Sequence, residues 1–402
     1  MMVASILSRD DSLNSAVIRN NKDRVQQGLD PASMNTSAYS DARGRLELGV
    51  VLQAAAQIAY ETDLRLTLDE FWGILIPFII DGSTATANDT PANQEVFPQH
   101  GMQQEGIGFP ILRLEILQSL KSGMIRGAAF GSYKGKETGE MALARQLFPV
   151  LEKNSLLIGD RYFPSYFVMA ELIKRGAHGV FQSHAARDLD FRHGQQLDTL
   201  DHIVEWIKPQ KPSWMTQEEY DHYEQKISVR EVDISTEINK GERFVIVTTL
   251  MDNNNFSKLK LSEIYKHRWK IESALKDIKD TFNMGHIDAK SPEMIEKVFW
   301  AHLLSYNILR WHILNAAVLY ETTIDKVSVK TASTIMTENG GLILSTPKEG
   351  LPKLFADLYY QMTQVPVGMR PGRAEPRVVK KRPKPFPRMQ EKRSDWHAKR
   401  NI

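Results

Sequence analysis

Two short, almost wholly apolar runs that each end on an aspartate constrain this chain more than any other feature. Ile74-Leu-Ile-Pro-Phe-Ile-Ile80 leads into Asp81-Gly82-Ser83-Thr84, and Ser155-Leu-Leu-Ile-Gly159 leads into Asp160. Runs this short and apolar read as buried strands, the first entering a loop. Between them, residues 108–118 and 124–132 flank the Lys121-Ser122-Gly123 turn and predict a hairpin. Thr138–Leu151 predicts a helix. After Asp160, Pro164 marks a helix start, the following apolar stretch closes on Gly176 as a C-cap, and residues 178–184 predict another strand. The order of neighbouring strands, helix, strand, helix, strand predicts a mixed α/β domain with acidic residues at strand ends.

The rest of the chain divides by character. Residues 1–70 predict helices, with one helix over Ser37–Leu64. Residues 71–183 form the first part of the α/β core. Residues 184–242 are richer in charge, carry Trp206, Trp214, Pro209 and Pro212, and predict a β-rich insertion. Residues 243–290 return to the core with a strand and a helix over Leu261–Phe282. Residues 291–368 predict further helices, and 369–402 form a tail rich in Pro, Lys and Arg.

Composition excludes several classes. With no cysteine among 402 residues there is no disulfide framework, thiolate zinc site or cysteine nucleophile. The longest apolar stretch, Phe71–Ile80, is about half of a bilayer span and contains Gly73 and Pro77. The N-terminus carries no basic segment followed by an apolar core, so neither a secretory signal nor a membrane role is expected, and the expected location is the cytoplasm. The net charge of +2 hides an asymmetry. Residues 370–402 hold 12 Lys/Arg against 3 Asp/Glu, which leaves the remainder acidic. Such a tail suits a polyanion such as nucleic acid.

A third carboxylate, Glu272, lies in the predicted helix in the pattern Tyr265-x2-Arg268-x3-Glu272-x6-Lys279. At about 100° per residue the four side chains share a sector of about 60° on one face. An exposed Arg268–Glu272 pair alone would be worth only ~0.2–0.5 kcal/mol. Together with Asp81 and Asp160, however, Glu272 makes an all-oxygen set without histidine or thiol, which suits Mg²⁺ or Mn²⁺ rather than zinc. Two such ions can activate a water or a 3′-hydroxyl and stabilise the leaving oxygen of a phosphodiester. Arg268 and Lys279 can hold phosphates beside them. Asp89 and Glu137 are weaker carboxylate candidates in polar, loop-like segments, and the 11 histidines show no H-E-x-x-H pattern. The segment Gly131–Glu137 lacks the spacing of a phosphate loop, so Lys134 and Lys136 are expected to approach a polyanion backbone or solvent.

The sequence resembles the DDE transposases of bacterial insertion sequences, in the branch of insertion-sequence family four that carries the Tyr-x2-Arg-x3-Glu-x6-Lys signature. The resemblance continues through Asp81–Asn93 (DGSTATANDTPAN), GFPILRLEIL, YKGKETGE, LLIGDRYFPSYF and EPRVVKKRPKPFPR, across roughly residues 35–390. It implies an RNase H-like catalytic core, a mixed sheet flanked by helices, with a β-strand insertion before the glutamate. It further implies Asp81, Asp160 and Glu272 as the metal-binding triad for two Mg²⁺ ions, with Mn²⁺ able to substitute. Tyr265, Arg268 and Lys279 would then contact DNA, with Trp214 or Trp206 as a platform for an extruded base, and Lys380, Lys381 and Arg382 of the tail would add affinity. The implied partners are double-stranded DNA, as terminal inverted repeats and target, and a second copy of the chain in a synaptic complex. Relatives cleave the 3′ end, form a hairpin and transfer strands. The N-terminal DNA-binding region is shorter than in many relatives. A non-catalytic regulator, or a nuclease that cuts without joining, is the alternative reading.

Overall fold

A computed structural model of the chain describes residues 1–8, 12–67, 69–184, 186–238, 243–367 and 390–399. The N-terminal segment holds α1 (Met2–Leu7), α2 (Leu13–Gln26), α3 (Ser37–Arg45) and α4 (Leu48–Arg65). The helix expected over Ser37–Leu64 is thus two helices, broken where Leu46 and Glu47 turn extended. The break re-aims α4 so that the stripe Val51, Ala55 and Ala59 is buried, largely against α11 below.

The centre is a mixed sheet, ten-stranded among the described residues, in the order β3-β2-β1-β4-β5-β9-β8-β7-β6, with β10 beside β1. Its strands are β1 (Ile76–Ala87), β2 (Ile111–Ser119), β3 (Ile125–Ser132), β4 (Ser155–Gly159), β5 (His178–Gln182), β6 (Gln195–Asp198), β7 (Asp201–Ile207), β8 (Lys226–Asp233), β9 (Val245–Thr248) and β10 (His286–Ile287). The β2–β3 hairpin turns at Gly123, whose φ of +71 is the left-handed conformation that glycine adopts without strain. Beyond residue 184 the described residues build no second sheet: β8 pairs with β9, and β7 and β6 extend the same sheet outward.

Short helices connect these strands: α5 (Pro91–Val96), α6 (Glu140–Leu147), α7 (Tyr166–Lys174) and α8 (Gln217–Asp221). After β9 come α9 (Lys258–Lys266) and α10 (Trp269–Lys276), and after β10 come α11 (Pro292–Leu319), α12 (Val329–Glu338), α13 (Gly340–Ser345) and α14 (Leu351–Thr363). Residues alternate across the strands, so both faces are apolar. Ile79, Leu114, Ile116 and Ile158 pack with Ile271, Leu275 and Phe299 of the α10–α11 layer. Ile80, Leu117 and Leu157 face the other way, onto Leu143 of α6 and Met169 of α7. No described helix is long and apolar enough to cross a membrane.

One buried histidine makes the C-terminal packing sensitive to acid. His312 of α11 stacks on Phe355 of α14, and its Nδ1 lies 3.0 Å from the Tyr359 hydroxyl. Burial lowers its pKa to about 4 from the usual 6.5. The folded state therefore resists a proton that the unfolded chain accepts. Its contribution is complete above pH 6.5 and is lost as pH falls toward 4, by up to ~3 kcal/mol. The stability drop between pH 7 and pH 4.5, measured by denaturant titration, is expected to be smaller in His312→Phe than in the wild type.

Candidate active site

Parallel pairing brings the two aspartates together. The β1–β4 ladder runs in register from Ile76↔Ser155 to Ile79↔Ile158. Two further residues along each chain place Asp81 opposite Asp160, which follows the last residue of β4. Asp160 is therefore at a strand end, as expected, but Asp81 is not: β1 continues through it to Ala87. The extension exists because β2 pairs with β1 along Phe78–Thr86, and β10 joins at Thr86 and Ala87. Asp81 thus projects from a continuous strand at the point where its neighbour on one side stops.

The helix carrying Glu272 is also not what its sequence predicts. In place of one helix over Leu261–Phe282 there are α9, a break at His267 and Arg268, α10, and a π-helical turn over Asp277–Thr281. At the break the Arg268 N–H donates to the carbonyl of Tyr265, three residues back rather than four. A tight turn advances more than 100° per residue and a π turn less, so Tyr265, Arg268, Glu272 and Lys279 do not lie on one continuous α-helix. The four residues still gather at one site by other means. Arg268 Nη2 lies 3.2 Å from Glu272 Oε1. Lys279 Nζ donates to Ser83 Oγ, two residues beyond Asp81, at 3.1 Å. Tyr265 is buried at 6% exposure against Phe244 and interacts with Arg268 and, electrostatically, with Asp160 and Asp81.

The electrostatics are those of crowded carboxylates. Asp81 is raised to about 6, first by burial, with the negative charges of Asp160 and Glu272 adding to it. The Gly82 N–H, which donates to Asp81 Oδ1 at 2.8 Å, and Arg268 act in the opposite direction. Asp160 Oδ1 accepts from the Tyr162 N–H at 2.8 Å. Tyr265 is pushed up to about 12, chiefly by burial. Glu272 is half exposed. Among the described residues no three Asp, Glu or His side chains form a ready-made ion cage, and Glu272 is paired with Arg268.

The remaining expected residues lie elsewhere. Lys134 and Lys136 are exposed on the loop after β3. Trp214 is half-buried, with the Arg145 guanidinium 3.7 Å over its ring and Phe167 beside it. Trp206 is buried; it donates to Glu231 Oε1 at 3.1 Å and lies 3.5 Å beneath the Arg187 guanidinium. Asp89 is exposed and accepts from Gln94, and Glu137 pairs with Arg145 at 2.6 Å. Lys380, Lys381 and Arg382 fall outside the described residues.

Two carboxylates near the site escape the sequence reading. Glu115 of β2 is fully buried and neither of its oxygens has a hydrogen-bond partner. Glu140 opens α6. A carboxylate inside Ile-Leu-Arg-Leu-Glu-Ile-Leu, whose one other polar residue is Arg113, was the available signal, but an alternating strand with one polar face reads the same way.

Comparison with known proteins finds a matching family and two similar proteins. The family described as transposase DDE domain matches residues 74–308, which contain both aspartates and Glu272. The transposase InsG for insertion sequence element IS4 of Escherichia coli strain K12 is 26% identical over 389 residues, 96% of this chain and 85% of that protein. The piggyBac transposase, in a synaptic complex with hairpin DNA, aligns over 70% of this chain and 57% of its own, with a TM-score of 0.40 and 8% identity.

Proposed function

Because this chain belongs to the DDE transposases, enzymes that cleave and transfer DNA with a divalent metal, we propose that it excises and inserts a bacterial insertion sequence through Asp81, Asp160 and Glu272. The observation that carries this reading is the β1–β4 register, which sets Asp81 beside Asp160 while α10 brings Glu272 within electrostatic reach. The donor set fits a hard dication: it is all oxygen, and the burial and neighbouring negative charge that raise Asp81 are what a bound cation would offset. We assign two Mg²⁺ ions, with Mn²⁺ able to substitute. Bound there, they would activate the attacking water or 3′-hydroxyl and stabilise the leaving oxygen.

The chain's own residues supply position. Arg268, held at the break between α9 and α10, is a planar donor for a phosphate once released from Glu272, and Lys279 is a point charge beside Ser83. Tyr265, buried and kept protonated, orients Arg268. Lys134, Lys136, Lys380, Lys381 and Arg382 add salt-dependent affinity for the backbone. Trp214 would have to exchange Arg145 for a base to serve as a platform for it. The steps follow as 3′-end hydrolysis, a hairpin on the opposite strand, and strand transfer, with two copies bridging the terminal inverted repeats. The place of action is the bacterial nucleoid.

Labelled duplexes from the DNA flanking the gene, incubated with protein and Mg²⁺ and resolved on a denaturing gel, test this. Expected are nicked 3′ ends, a hairpin band and joined products, all lost on addition of EDTA. Nicks without joining would mark a nuclease, and binding without nicks a DNA-binding regulator.

A further inference from the structure

Glu115 poses a problem that the triad does not solve. A carboxylate with no exposure and no partner on either oxygen is strongly unfavourable unless it is protonated or holds a cation. Its surroundings make the cost larger. Glu115 faces Gly82 across the β1–β2 ladder. Were a Cβ present at residue 82, Glu115 Oε2 would lie 2.9 Å from it, and Glu140 Cγ and Cδ 3.1 and 3.3 Å from it. The two carboxylate side chains therefore converge over the one position of β1 that has no side chain. Glycine lets both reach across the strand, and any larger residue would push one aside.

The sheet is incomplete beside that position. On the β4 side, β1 has ladder partners only up to Ile79 and again from Thr86. Residues 80–85 thus border a gap, which Asp160 enters from the end of β4. Asp81 points to the α10 side of the sheet, with Ile116, while Gly82 and Glu115 point to the α6 side. The negative charges acting on Glu115 are those of Glu140, Asp81 and Asp160, in that order, and only Arg113 opposes them. Glu115 and Glu140 therefore converge on the α6 side of the short stretch of β1 from which Asp81 points the other way.

We infer that Glu115 and Glu140 are additional cation-holding carboxylates of the active site, which bind a divalent metal ion at Gly82 beside the Asp81–Asp160 pair. This rests on the reading of Asp81 and Asp160 as metal ligands and adds the α6 side of the sheet to their site. Glu140 also has a plainer role open to it, as a negative charge at the N-terminus of α6. That role would affect helix stability and leave metal binding alone.

The test is a titration of the full chain with Mn²⁺, following the loss of the free-ion signal by electron paramagnetic resonance, for wild type, Asp81→Asn, Glu115→Gln and Glu140→Gln. Thermal melts in EDTA accompany it. Expected is at least tenfold weaker Mn²⁺ binding in Glu115→Gln and Glu140→Gln. Wild-type Mn²⁺ affinity in both glutamine variants, alongside loss in Asp81→Asn, would overturn this inference and leave the triad standing. Unchanged affinity in Asp81→Asn would overturn the triad reading, and this inference with it. If Glu115→Gln does not fold, Glu140→Gln decides, since its carboxylate is only half-buried.

Discussion

Asp160→Asn is expected to lower DNA cleavage by on the order of 10³-fold or more, equivalent to ~4 kcal/mol in the barrier, while duplex binding changes little. Asp81→Asn and Glu272→Gln should do the same. The reasoning is electrostatic. An amide has nearly the shape of the carboxylate, so the β1–β4 register and the α10 packing survive. It lacks the charge that a dication needs, and metal-assisted displacement loses its clamp. Binding is carried by other groups, so a gel-shift measured beside the cleavage assay separates the two effects. Cleavage by Asp160→Asn at the wild-type rate would remove that residue from the mechanism. Glu272→Gln carries a further signature: its neutral amide no longer holds Arg268, so a phosphate competes more easily for the guanidinium, and binding should rise slightly rather than fall.

The second large effect concerns stability. Arg230 of β8 has no exposed side chain, and it pairs with Asp201 of β7 through Nε–Oδ1 at 2.8 Å and Nη2–Oδ2 at 2.6 Å. Its Nη1 donates to the carbonyls of Leu250 at 3.3 Å and Phe256 at 2.8 Å, on the segment that leads into α9. One guanidinium therefore ties the outer strands to the approach of the helices that carry Arg268 and Glu272. Asp201→Ala leaves that cation buried and is expected to cost ~3–5 kcal/mol, measured by chemical denaturation. Replacing both partners with apolar residues should recover most of the loss, because the cost lies in the unpaired charge. A loss below ~1 kcal/mol in Asp201→Ala would show that water reaches the site.

Much of the fold was legible because local chemistry and tertiary packing agree. The apolar runs at Ile74–Ile80 and Ser155–Gly159, the turn at Gly123 and the cap at Gly176 each form where their residue types require. Asp81 was misplaced at a strand end because Gly-Ser-Thr reads as a loop, and pairing with β2 overrode that signal. The outer strands gave no hint that they would extend the central sheet, since strand pairing between distant segments leaves no local mark. Trp214 illustrates the same limit: local sequence does not show that Arg145 of α6 lies over its ring.

The chemical inventory was readable without any structure: two aspartates after apolar runs, a glutamate spaced between an arginine and a lysine, and no cysteine to suggest other chemistry. Those properties are covalent, and short-range periodicity is enough to place them on strands and helices. Only the tertiary structure decided how they meet. Tyr265, Arg268, Glu272 and Lys279 come together through a tight break and a π turn rather than one helical face. Glu115 and Glu140 become neighbours of Asp81 because β2 and α6 close over a glycine. Such contacts depend on register and crossing geometry between segments far apart in the chain, which hydrophobic packing sets and local spacing does not encode.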